Sequence, residues 1–95
     1  MFVSTLTYIV PLDRIEQALP DHVARLDRQY AEGAALVSGR QQPRVGGVIL
    51  WKGEDRAAIE TRITEDPFVA RGLATTAIVQ FVATKAAAGL ESLLE

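Results

Sequence analysis

The chain contains no cysteine, which removes disulfides, thiol nucleophiles and thiolate metal sites in one step. A single histidine, His22, is left as the only nitrogen ligand. Zinc centres take three or four protein ligands, so no metal site is expected. Charge of one sign is also scarce: ten Lys and Arg stand against twelve Asp and Glu, for a formal net charge of −2 with no basic block. Duplex binding needs a clustered positive surface, so nucleic acid is not an expected partner. No apolar run approaches the ~20 residues of a membrane span. The start Met1-Phe2-Val3-Ser4 carries no basic leader and is interrupted by Ser4, Thr5 and Thr7, so it does not read as a signal peptide. The pair Gly46-Gly47 belongs to neither Gly-x-Gly-x-x-Gly nor a Gly-Lys-Ser/Thr step, so no nucleotide cofactor is expected. These absences predict a cofactor-free cytoplasmic protein without a membrane partner.

What is present is ordinary globular material, 48% hydrophobic and 23% charged, enough for one domain over residues 1–95. Residues 2–10 are rich in β-branched and aromatic side chains, and period two puts Phe2, Leu6, Tyr8 and Val10 on one face of a first strand. Pro11 ends it, and residues 12–18 read as a short helical turn with Asp13 as a possible cap. Pro20 is costly inside a helix and tolerated at its first position, so the main helix is expected from Pro20 to about Glu32, stopped by Gly33. Residues 34–39 and 46–51 read as the second and third strands, residues 54–65 as a second helix, 69–73 as a short turn and 75–84 as the last strand. The alanine-rich tail 85–95, with Leu90, Leu93 and Leu94, reads as a terminal helix.

The order β-α-β-β-α-β is the α+β ferredoxin-like arrangement. Two helices cover one face of such a sheet, yet these strands carry apolar residues on both. A second copy is the simplest cover, so a homodimer packed sheet to sheet is expected.

His22 shares helical spacing with Leu19, Leu26 and Tyr30. Two readings stand: an imidazole that only packs and hydrogen-bonds, or an acid, base or ligand. In the first turn of a helix starting at Pro20, the dipole and partial burial both favour the neutral ring, the form a general base needs. Asp66-Pro67 is a familiar helix start, with Asp as cap and Pro at the first position. Tyr8 is either core or a pocket wall with a hydroxyl. Arg40 and Arg44, on a polar loop, and Arg25 suit capture of an anionic acid or are solvated charges. Arg25 and Arg28 also have Asp21, Asp27 and Glu32 nearby on the helix.

The chain resembles the YciI-like (YCII-related) proteins of the dimeric α/β-barrel superfamily. The likeness rests on Pro20-Asp21-His22 followed by Leu26, on Ala31-Glu32-Gly33 and Ser38-Gly39, on Gly46-Gly47, and on Asp66-Pro67-Phe68 with Gly72-Leu73. The resemblance implies that His22 and Asp66 line a pocket as a catalytic pair. A carboxylate on one ring nitrogen would fix the tautomer and leave the other nitrogen free. It also suggests Ser38 and Gly39 as pocket residues, with Arg40, Phe68 and Tyr8 around the substrate. Beside that stand plainer readings: Ser38 as a turn residue, since no Gly-x-Ser-x-Gly elbow surrounds it, Gly39 at a bulge or a positive-φ turn, and Phe68 as core. Members resembling lactone isomerases and dehalogenases point to lyase, isomerase or hydrolase-type proton transfer on a small anionic or lactone-like metabolite. The alternative is a non-catalytic ligand-binding or interaction module acting as a homodimer.

Overall fold

The computed structural model describes residues Met1–Glu95. Strand β1 (Phe2–Tyr8) leads into helix α1 (Leu12–Ala31), followed by β2 (Ala35–Arg40), β3 (Gly46–Trp51), α2 (Arg56–Thr64), the single turn α3 (Pro67–Ala70) and β4 (Ala74–Gln80). The strands form one antiparallel sheet in the order β2-β3-β1-β4, the ferredoxin-like topology. In the ladder Phe2 faces Trp51 and Gln80, Ser4 faces Ile49 and Ile78, and Leu6 faces Gly47 and Thr76. This register sends Phe2, Ser4, Leu6 and Tyr8 toward the helices and Val3, Thr5 and Thr7 to the other side.

Two expectations fail in α1 and the tail. Residues 12–18 are not a separate turn, and Pro20 does not start the main helix; it lies inside one continuous helix whose cap is Pro11, with no side-chain bond from Asp13. The reason is amphipathic. Pro20 projects to solvent, while Ile15 and Ala18 before it and Gln29 after it are buried on one face. Packing on both sides offsets the roughly 3 kcal/mol that an interior proline costs. The helix does end as the sequence indicates. Gly33 takes φ +76°, and the Gly33 and Ala34 N–H groups donate to the Tyr30 and Gln29 carbonyls in a Schellman cap.

The expected C-terminal helix reduces to one 3-10 turn, Glu91–Leu93. Gly89 at φ +92° interrupts it. Eleven residues are also too few to hold a helix that docks no apolar face, and Leu90 and Leu94 are exposed. The tail closes at its tip instead, where Glu95 accepts from the Met1 ammonium at 2.6 Å and its N–H donates to the Ala83 carbonyl. The hydrogen bond from that ammonium holds the Glu95 carboxyl below the ordinary carboxylate range. Glu54 and Asp55 likewise fall outside the first turn of α2, with Asp55 as its N-cap.

The core is divided. One cluster joins Phe2, Trp51, Ala34 and Ala35 to Ile59 and Ile63 of α2. The other joins Ile15 and Ala18 of α1 to Phe68, Leu73 and Ala74.

Two glycines in neighbouring strands carry opposite demands. A Cβ on Gly46 would lie 1.6 Å from the Leu6 carbonyl oxygen, whereas one on Gly39 meets nothing within 4 Å. Gly46→Ala is therefore expected to destabilise by about 2–4 kcal/mol, and Gly39→Ala to change stability by less than about 0.5 kcal/mol. Urea unfolding of the two variants reads the contrast directly.

Candidate functional site

A cavity of about 290 Å³ lies between α1 and the sheet, where the two core clusters fail to meet. Its walls combine both clusters, with Trp51 and Ile63 from one and Leu6, Tyr8, Leu19 and Phe68 from the other. The residues singled out in the sequence, Tyr8, His22, Arg25, Ser38, Gly39, Arg40, Arg44, Asp66 and Phe68, all line it.

The local sequence explains how three of them meet. Asp66 precedes proline, which keeps it extended at φ −60°, ψ 133°. From there its Oδ1 accepts the Phe68 N–H at 2.8 Å and caps α3, while its Oδ2 accepts from His22 Nδ1 at 2.6 Å. The capping reading and the pairing reading of Asp66 are thus both satisfied, one by each oxygen. The same turn sends Phe68 under the imidazole, with ring centroids 4.2 Å apart and planes within 10°, and Tyr8 meets the edge of Phe68 at 83°.

An ionised carboxylate only accepts hydrogen bonds, so the short contact assigns the ring proton to Nδ1. In the neutral ring of that tautomer the lone pair lies on Nε2, which has no protein partner. The side chain is 16% exposed, sheltered and still reachable. Its position in the middle of α1 removes the helix-dipole effect expected for a first-turn residue, because that effect fades beyond the terminal turn. What the structure supplies at this position is orientation, from Asp66 and from the stack on Phe68.

Ser38 is not in a turn. It lies within β2 opposite Ile49, on the cavity side, and its hydroxyl hydrogen-bonds the Tyr30 hydroxyl. Gly39 is neither at a bulge nor at positive φ; the register shift falls between Ala35 and Val37. Tyr8 is half-buried and belongs to both core and wall.

Four guanidinium groups, Arg25, Arg40, Arg44 and Arg62, face one carboxylate, Asp66, around the cavity. Three of the arginines are tied outward to surface carboxylates: Arg25 to Glu65 at 2.6 Å, Arg44 to Glu16 at 2.8 Å, and Arg62 to Glu32. These bonds run between elements and not along α1 as the spacing of Arg25 and Arg28 suggests. The hydrogen bond and charge of Arg62 lower the Glu32 carboxyl below its ordinary range, and the bond to Glu16 holds Arg44 more firmly protonated. Arg40 has no such partner.

Sequence reasoning passed over Trp51 and Gln29 as site residues. Trp51 Nε1 donates to the buried Ser4 hydroxyl at 2.9 Å, closing one end of the cavity. Gln29 is 2% exposed and accepts from Arg62 at 2.6 Å. Its place seven residues, two helical turns, after His22 is the signal that was available.

The chain belongs to the YCII-related family, whose domain model matches residues 1–82. None of the curated proteins matches it. Among solved structures it is similar to 5-chloro-2-hydroxyhydroquinone dehydrochlorinase (TftG) from Burkholderia phenoliruptrix AC1100, determined in complex with 2,5-dihydroxybenzoquinone. The two are 18% identical with a TM-score of 0.71, and the alignment covers 87% of this chain and 95% of that one. At that identity the likeness is one of fold.

The two roles of Asp66 separate by substitution. Asp66→Asn retains a capping oxygen and is expected to keep stability within about 1 kcal/mol. Asp66→Ala loses the cap and leaves two donors unpaired, for an expected loss of about 2 kcal/mol or more. Chemical denaturation of both variants checks the difference.

Proposed function

We propose that this protein is an acid–base enzyme that moves a proton on a small anionic metabolite, in an elimination or isomerisation. The observation that carries the reading is the 2.6 Å contact between His22 Nδ1 and Asp66 Oδ2 at the wall of the cavity. In this reading it makes Nε2 a base of fixed direction in a partly sheltered site.

In this reading His22 Nε2 takes a proton from a carbon or hydroxyl activated by a neighbouring carbonyl, and Asp66 holds the resulting imidazolium. In an elimination, the electron pair of the broken bond forms the new double bond and the leaving group departs with its own pair. In an isomerisation, the imidazolium returns the proton to another atom of the same substrate. Arg40, with Ser38 beside it on the same face of β2, stabilises the charge that develops on the carbonyl oxygen. Phe68 backs the imidazole, and Tyr8 adds to the aromatic wall beside a planar substrate. Every step uses side chains of this chain and calls on no cofactor. A dehydrochlorinase on the same fold supports elimination as the reaction type.

Long-range ¹H–¹⁵N NMR is expected to find neutral His22 protonated on Nδ1, and Asp66→Asn to shift it toward the Nε2-protonated form. Assayed for chloride release from 5-chloro-2-hydroxyhydroquinone and for turnover of small lactones, His22→Asn and Asp66→Asn are each expected to lose about 100-fold or more in kcat. Variants that turn over at the wild-type rate, or an Nε2-protonated ring in the wild type, contradict the reading.

The uncovered face of the sheet supports a homodimer. The strand positions on that side, among them Val3, Thr5, Val37, Val48, Leu50, Ala77 and Val79, include no charged residue. Val37 and Val79 are 58% and 64% exposed, and the tail does not cover them. A second copy packed sheet to sheet removes this surface from water. Sedimentation is expected to give twice the 10.3 kDa chain mass, and Val79→Glu to give the single chain. A wild-type monomer at micromolar concentration would sink the assembly.

A further inference from the structure

The Nε of Arg25 is the one buried side-chain nitrogen or oxygen in the molecule without a hydrogen-bond partner. A buried guanidinium donor left unpaired costs more than a neutral one, and native structures seldom keep such a group idle. Arg25 lies three residues after His22 on α1, on the same helical face, and lines the same cavity. Only its outer end is occupied: Nη2 donates a single bond to Glu65, whose side chain is 54% exposed. A one-point contact to a solvated carboxylate resists rotation weakly. The guanidinium is therefore anchored at its far end, while its Nε, buried on a residue that lines the cavity, keeps an unused donor.

We infer that Arg25 is the specificity-determining residue of the cavity, its Nε–H binding an anionic oxygen of the ligand beside His22. This rests on reading the cavity as the substrate site and adds the ligand's chemistry: a single small ring carrying a carboxylate or ionised enol. The volume of about 290 Å³ is at the lower end for ligand pockets, which suits one substituted ring. The apolar wall of Leu26, Phe68 and Ile63 takes the ring. Asp66, the cavity's only carboxylate, already accepts two hydrogen bonds, from His22 and Phe68. It has no call on Arg25, so the open donor is left for a ligand.

Benzoate and benzamide form a matched pair of probes, equal in shape and different in charge. In NMR titrations of the full chain, benzoate is expected to move the Arg25 Nε–Hε resonance together with the amides of His22 and Phe68. Benzamide is expected to bind at least tenfold more weakly. Arg25→Lys keeps the charge and the reach to Glu65 but has no Nε–H. It is expected to weaken benzoate by about 10- to 100-fold and to leave benzamide unchanged. The inference is overturned if the two probes bind equally, if neither binds, if the Arg25 resonance stays still while benzoate binds, or if Arg25→Lys binds benzoate as the wild type does. The resonance readout needs no variant, so it stands even where the lysine substitution disturbs the fold. Because binding is measured without turnover, loss of the His22 tautomer preference would defeat the proton-transfer reading and leave this one intact. An unmoved Arg25 would do the reverse.

Discussion

One carboxylate sets the geometry around the cavity. Asp66 is 7% exposed, and a buried carboxylate is tolerated only where donors replace its water. Its two oxygens find one donor each, the Phe68 amide and His22 Nδ1. The first bond starts α3, which carries Phe68 into the second core cluster. The second reaches across to the middle of α1 and fixes the imidazole over that same phenyl ring. A short helix, an aromatic stack and the orientation of an imidazole therefore share a single charged group. Exchanging it for a neutral isostere alters direction more than packing, whereas deleting it affects both.

The cavity exists because the core is divided. Phe2, Trp51 and Ile63 pack at one end of the sheet, Ile15, Phe68 and Leu73 at the other. Between them α1 presents His22, Arg25 and Leu26, which do not fill the space as three leucines would. Continuity of α1 past Pro20 is essential to this. A helix that began anew at Pro20 would leave the angle between Ile15 and His22 to a linker. One unbroken helix makes the position of His22 follow from the packing of Ile15 and Ala18.

Much of this was readable from the residues, and the failures have a common cause. The strand over residues 46–51 matches β3 because glycines bound a continuous apolar run. Asp66-Pro67-Phe68 declared its cap through side-chain chemistry that acts within three residues. Pro20 and the tail were misread because local propensity was allowed to decide. An exposed proline within a well-packed helix and an alanine-rich segment with nothing to pack against both depend on tertiary contact, which propensity does not encode. The strand expected over residues 34–39 holds as β2, and it is the turn and bulge roles of Ser38 and Gly39 within it that ladder pairing with β3 removes. The distances linking His22, Arg25 and Gln29 to residues 62–66 were beyond reach for the same reason: they are set by how α2 and α3 return over α1.

The distribution of charge matters more than its total. The chain carries a net −2, which read alone suggests a molecule that repels anions. Around the cavity the balance is inverted, with four arginines and one carboxylate. Glu16, Glu32 and Glu65 pair with three of those arginines from outside the wall, and each is at least half exposed. Their charges are screened by water and salt, so each offsets only part of the charge of its arginine. The cavity interior excludes much of that screening. An anion entering beside His22 meets a positive wall whose outer counter-ions are the more strongly screened partners. Under the proton transfer proposed for His22, the charge left on the substrate would fall against that positive wall.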